Sequence, residues 1–196
     1  MDSLGNDRDR AQQVLTATQA LMLETRSLSM SLNDIADRIG VSRSLLYVYY
    51  DGVPAILDAI FLSHLERLDE VVRPMGDAGR SFASRAVATY TAYLGYLIET
   101  GPVLLLILRE RHQDSPLGAE SQLRFRRLLR FLASQAARAL DLAPRESFVW
   151  LELTSAIPEA LARMVQSQDI DRETAEATCR RLVQASLESF ALAEAG

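Results

Sequence analysis

The sequence predicts an all-α protein of about nine helices, and three observations carry that prediction. Apolar residues recur every three or four positions through nearly the whole chain, the spacing that lines one face of a helix. No segment keeps up the strict alternation of a half-buried strand. Glycine, proline and short capping residues cut the periodic stretches into pieces of helical length. With 196 residues, 48% hydrophobic and 24% charged, the chain has enough apolar surface for a substantial core.

In chain order, Asn6 or Asp7 is expected to cap a first helix. Its Ala11, Val14, Leu15, Thr18, Leu21 and Met22 form one mostly apolar stripe, and it ends near Arg26. Ser31, with Asp34 three residues on, suits the N-cap of a short helix from Leu32 to Ile39. Gly40 breaks that helix, and a second short one runs from Ser42 to about Tyr50, closed by Asp51-Gly52. Pro54 fits the first turn of an amphipathic helix from Val53 to Val72. Periodicity resumes from Phe82 to Ile98, stops at Gly101-Pro102, and resumes from Val103 to about His112. Three further helices are expected at about Ala119 to Leu140, Pro144 to Gln166 and Asp169 to Ala193. Acidic residues at the head of the last one suit the positive end of its dipole. Residues 1–52 read as a small N-terminal domain and 53–196 as a larger helical one.

Composition excludes several function classes. A formal net charge of −5 argues against a protein that coats nucleic acid by charge alone, though not against DNA contact on one small face. All 21 basic residues are arginine. No stretch approaches the length of an apolar membrane span, and MDSLGNDRDR lacks the features of a signal peptide, so a cytoplasmic location without membrane contact is expected. One cysteine, Cys179, allows no internal disulfide and reads as a packing residue. Two distant histidines and that cysteine provide no metal-ligand spacing. Nucleophile, phosphate-loop and dinucleotide motifs are also absent, so no enzyme activity, metal or cofactor is expected.

The segment Leu32 to Tyr50 carries the sharpest signal. Ile35, Ile39, Val41 and Leu46 can share a small core, Ala36 lets two helices cross closely, and Gly40 permits the sharp turn between them. The second helix then projects outward with Ser42, Arg43, Ser44, Tyr47 and Tyr49 able to bond phosphates or base edges. Leu45 and Val48 are able to touch a thymine methyl. The plainer reading of the same residues is a helical hairpin with Tyr47, Tyr49 and Tyr50 as core.

The span from Ser31 to about Leu57, in the stretches SLNDIA, GVS, LLYVYY and PAILDAI, the last running on to Ile60, resembles the DNA-binding region of the tetracycline-repressor (TetR) family. The remainder resembles that family only in the number and order of helices. The resemblance implies a helix-turn-helix in which Ser31, Asn33, Ser42, Arg43, Ser44, Leu45, Tyr47, Val48 and Tyr49 face double-stranded operator DNA. Arg43 and Ser44 would read bases while Tyr47 and Tyr49 fix phosphates. Three positions depart from the family pattern: Arg26 in place of glycine, Ser27 in place of an aromatic, and Val53 in place of a phosphate-binding lysine. Residues 1–50 hold five arginines against six acids, so modest affinity with a shallow salt dependence is expected.

The same resemblance implies an effector pocket in the larger domain for a small hydrophobic or aromatic molecule, with His64, Tyr90, Tyr93 and Trp150 as lining. Core packing is the competing reading for each tyrosine. Arg109 and His112 close a helix, where the dipole favours cations, or else meet an effector's polar group. Arginines 124, 126, 127 and 130 read as partners of neighbouring acids. The last two helices are apolar over much of their circumference, and the resemblance implies that they pair with a second copy as a homodimer. The function expected is a repressor released from a palindromic operator by its effector. The rival is a helical ligand-binding or interaction module that no longer binds DNA.

Overall fold

The computed structural model describes residues 3–109 and 117–193, and among these every regular element is helical. The α-helices are α1 (Ser3–Thr25), α2 (Leu32–Ile39), α3 (Arg43–Tyr49), α4 (Val53–Val71), α5 (Phe82–Thr100), α6 (Val103–Arg109), α7 (Ala119–Ala139), α8 (Pro144–Gln166) and α9 (Arg172–Ala193). A 3-10 turn, Arg73–Gly76, follows α4. The chain divides into two compact units, one of Met1–Leu65 with Pro102–Leu123, the other of Glu66–Gly101 with Arg124–Gly196.

In the first unit α1 packs on α2, α2 on α3, and α6 on α1. Val14, Met22, Leu32, Ile35, Ala36, Leu46, Ile56, Ile60 and Phe61 make the buried core. Sequence dictates the α2–α3 geometry at three points. Ser31 caps α2 through a reciprocal pair, the Asp34 N–H donating to Ser31 Oγ and the Ser31 N–H donating to Asp34 Oδ2 at 2.7 Å. Gly40 takes a left-handed conformation at φ +68°, which a side chain would strain, and its N–H reaches the carbonyls of Ala36 and Asp37. Ser42 then caps α3 by accepting from the Leu45 N–H. Arg38 of α2 donates both terminal nitrogens to the Glu24 carboxylate of α1 at 2.6 and 2.5 Å, and the contact holds that carboxyl below its usual range. Elsewhere in the unit, the Gly118 N–H donates to Asp58 Oδ1, and a Cβ at Gly118 would meet that carboxylate at 3.0 Å.

In the second unit α5 packs on α8, α9 and the 3-10 turn, and α8 packs on α9. Ala175, Cys179, Val183 and Leu187 fall four apart on α9 and form its buried stripe. The small residues of that stripe let α9 approach α5 closely enough for Cys179 Sγ to sit 3.8 Å from the Tyr90 carbonyl.

Two helix starts differ from expectation. The first helix begins at Ser3, ahead of Asn6 and Asp7, so both lie inside the helix and neither caps it. The last begins at Arg172 rather than Asp169. Asp171 is its cap, accepting from the Thr174 N–H at 2.7 Å, while Gln168 has φ +64° and interrupts the chain between α8 and α9.

Candidate nucleic-acid interface and effector cluster

The capped α2–α3 pair leaves one face of α3 outward. Ser42, Arg43, Ser44, Tyr47 and Val48 are exposed, and Val48, at 71%, is the most open large apolar side chain among the described residues. Positions 43, 44, 47 and 48 lie on one side of a helix by their spacing. That places two hydroxyls, a guanidinium and a branched apolar group on a single surface. Leu46, one residue from this face, is 1% exposed and anchors the helix from behind. Arg43 Nη2 donates to the Tyr47 hydroxyl at 2.9 Å, and its guanidinium stands 5.5 Å from the centre of the Tyr47 ring. The arginine is therefore held against the tyrosine one turn further along. The Tyr47 proton stays available to an acceptor such as a phosphate.

Other sequence-predicted DNA residues are placed less openly. Ser31 and Asn33 are exposed on α2 and its cap, but the Ser31 hydroxyl is engaged with Asp34, donating to Oδ2 at 2.8 Å. Leu45 is half-buried. Tyr49 is half-buried as well, and its hydroxyl points back toward Asp7 of α1 at 3.5 Å. Tyr50 likewise turns to α1, donating to the Ala11 carbonyl. The Arg38 guanidinium is spent on Glu24, so Arg43 is the cation on the outward face of α3.

Of the residues expected to meet an effector, the structure brings Tyr90 and Trp150 together. Their rings meet edge to face at a centroid distance of 6.2 Å, and both side chains are 5% exposed. The Tyr90 hydroxyl hydrogen-bonds with Thr154 Oγ1 at 2.5 Å, and burial pushes its pKa up to about 12. Tyr93 donates to Glu159 Oε1 at 3.4 Å, and burial together with that carboxylate holds its phenol well above the usual value. His64 is buried on α4, in the other unit. Arg109 is exposed at the end of α6, and His112 lies outside the described residues.

The sequence reading passed over Arg85, Thr89 and Phe82 of α5. Phe82 lies 6.1 Å from Trp150, and Arg85 stands over the Phe82 ring. A signal was present: Arg85 is the one charged residue from Phe82 to Ile98, within an otherwise apolar and aromatic helix. A separate open groove of about 460 Å³ in the second unit contains none of the predicted effector residues. Arg67 lies over the Tyr96 ring there, and Arg172 joins Glu99 and Glu176. No group of three or more metal-ligating side chains occurs among the described residues, and no single helix among them is long and apolar enough to cross a membrane.

No family model matches the chain, and no curated protein matches it in sequence. Solved structures do match in fold. A TetR-like transcriptional regulator from Rhodococcus sp. RHA1 superposes with a TM-score of 0.69 at 22% identity, over 91% of this chain and 96% of that one. A TetR family transcription regulator from Marinobacter aquaeolei VT8 has a TM-score of 0.69 at 17% identity, over 92% and 97%. A tetR-family regulator from Streptomyces coelicolor has a TM-score of 0.56 at 18% identity, over 94% and 80%. The chain therefore has the TetR-like fold along most of its length.

Proposed function

We propose that the protein is a DNA-binding transcription regulator, a repressor that leaves a palindromic operator when a small hydrophobic or aromatic effector binds. The observation that carries this reading is the α2–α3 pair, capped at both starts, turned at Gly40, and presenting Arg43, Ser44, Tyr47 and Val48 from one short helix. The fold shared with known regulators supports it. In this reading residues 1–52 form the DNA-binding domain, with Ser42 and Tyr47 on phosphates and Arg43 and Ser44 on base edges. Ser31, Asn33, Leu45 and Tyr49 flank that contact.

Operator palindromy requires two copies. Val149, Leu153 and Met164 on α8 and Leu182 on α9 are exposed apolar side chains, an arrangement suited to a symmetric interface through these two helices. The effector is proposed to bind in residues 53–196, where Tyr90 and Trp150 form its aromatic wall. Tyr93, bonded to Glu159 in the same unit, remains a candidate contact. Binding releases DNA only if the effector prefers one of two conformations. A gel shift with the DNA upstream of the protein's own gene tests the reading. Retardation that an unrelated duplex fails to compete away is expected. Retardation lost equally to any competitor contradicts it and favours the module that no longer reads DNA, a reading consistent with the commitment of Arg38 to Glu24.

A further inference from the structure

We propose that the effector of this protein is an organic acid whose carboxylate binds Arg85, with the Thr89 hydroxyl and the Trp150 indole N–H as accompanying donors. The inference rests on the effector reading above and names the chemistry of that site.

Arg85 is part-buried near the start of α5, and among the described residues it has no carboxylate partner. Its charge faces neutral groups instead. Nη1 donates to the Met75 carbonyl at 2.6 Å and to Gln135 Oε1 at 3.3 Å, while the guanidinium carbon lies 5.9 Å from the centre of the Phe82 ring. These contacts hold the guanidinium by one nitrogen. They leave the edge formed by Nε and Nη2, and Nε is buried without a hydrogen-bond partner. That edge carries two parallel N–H groups, the fork that takes a carboxylate in two bonds. A cation partly withdrawn from water with no anion beside it costs free energy, and an incoming anion recovers that cost where an uncharged ligand does not.

Two neighbours have the same unmet need. Thr89 is one helical turn beyond Arg85 on the same side of α5, 5% exposed, and its Oγ1 has no partner. Trp150 Nε1 is also buried and unpartnered, and the Trp150 ring packs against Phe82, the ring that Arg85 overlies. The N–H groups of Arg85 and Trp150 are obligate donors, and the hydroxyl of Thr89 can donate. Three donors lacking acceptors, two of them beside the Phe82 ring and the third one helical turn on from Arg85, match an acceptor-rich head group. Phe82, half-buried beside the Trp150 ring, is the aromatic surface nearest the head group for the ligand's apolar body.

The test uses full-length protein and matched probes: octanoate and 4-phenylbutyrate, each against its uncharged amide, by calorimetric titration and by the shift in melting midpoint. The acids should bind about tenfold or more tightly than their amides, the advantage of a charge-assisted fork over a neutral bond. Arg85→Gln should bring acid and amide to equal affinity. Arg85→Lys keeps the charge, loses the fork, and should weaken acid binding while retaining a preference for it; this variant decides the matter should Arg85→Gln fail to fold. Trp150→Phe removes the indole N–H and should weaken acid binding more than amide binding, beside a lower melting midpoint without ligand from the lost core volume. Amides that bind as tightly as acids, failure of both acids to bind, or an acid preference that survives in Arg85→Gln would overturn the proposal. Acid binding that depends on Arg85 yet leaves DNA affinity unchanged would uphold the site and contradict only the release mechanism.

Discussion

Arg43 concentrates the protein's proposed sequence reading in one side chain, and the bond to Tyr47 restricts how that side chain points. A guanidinium already oriented loses less freedom on meeting a base than one that swings freely. Arg43→Ala should therefore cost roughly 1–3 kcal/mol of binding and relax preference at one base pair in each half-site. Tyr47→Phe keeps the ring contact and loses the bond, so base preference at that same position should loosen; an unchanged preference would show that the bond does not orient the arginine. Tyr49→Phe should weaken binding to all sequences alike and only slightly, because its hydroxyl is turned toward Asp7 and not toward the outward face of α3. Cys179 permits a test of the second unit's core. It is 0% exposed, and burial raises its thiol to about 11, so a thiol reagent at pH 8 should label it only as the protein unfolds. Labelling at the rate of a free thiol would mean that the α5–α9 packing is loose. The outward set at positions 42–44, 47 and 48 was readable from spacing alone. The inward lean of Tyr49 was not, because it depends on where α1 lies, and period arguments along one helix say nothing about a neighbour 42 residues away.

At the scale of elements, the α2–α3 pair is built from local rules, and each rule has its own cost. Ser31→Ala removes the cap of α2 and should lower stability by about 1 kcal/mol. Gly40→Ala places a side chain at φ +68° and should cost roughly 1–2 kcal/mol. Leu46→Ala empties the core position behind the reading helix and should cost roughly 2–5 kcal/mol, enough to unfold the small domain and abolish DNA binding. The carboxyls of Asp34 and Glu24 are depressed in the folded state, Asp34 by the Ser31 N–H and hydroxyl, Glu24 by Arg38. A depressed carboxyl contributes stability that is full above its unfolded pKa, about 4, and is lost as pH falls through the folded value. Melting midpoints taken from pH 7 to pH 3 should thus fall less steeply for Asp34→Asn and Glu24→Gln than for the wild type. Equal slopes would remove both groups from the acid response. These helices were legible because capping residues and Gly40 act within four positions. The Glu24–Arg38 pair was not, since it joins two helices through residues 14 positions apart, and neither was Arg85, whose lack of a carboxylate partner is a property of its neighbours and not of its own segment.

At the scale of the whole molecule, the proposed reading of a palindrome calls for two copies, and the exposed apolar side chains of α8 and α9 are where the second is expected to sit. Leu153, at 67% exposed, is the sharpest probe. Leu153→Glu would place a charge inside a dry interface, so sedimentation should find a monomer at micromolar concentration with helical content retained. A dimer undisturbed by that change would put the interface elsewhere. Dimerisation in turn bears on the DNA reading, because a symmetric pair of reading helices imposes symmetry on the site. The most direct measurement is therefore a selection from random duplexes with the wild-type protein, repeated with Arg43→Ala. The account predicts an enriched palindrome whose half-sites are about one helical turn apart, with one position in each half-site degraded in the Arg43→Ala selection. Enrichment of no sequence by the wild type, or the same palindrome from both proteins, would contradict the claim that α3 reads DNA through Arg43.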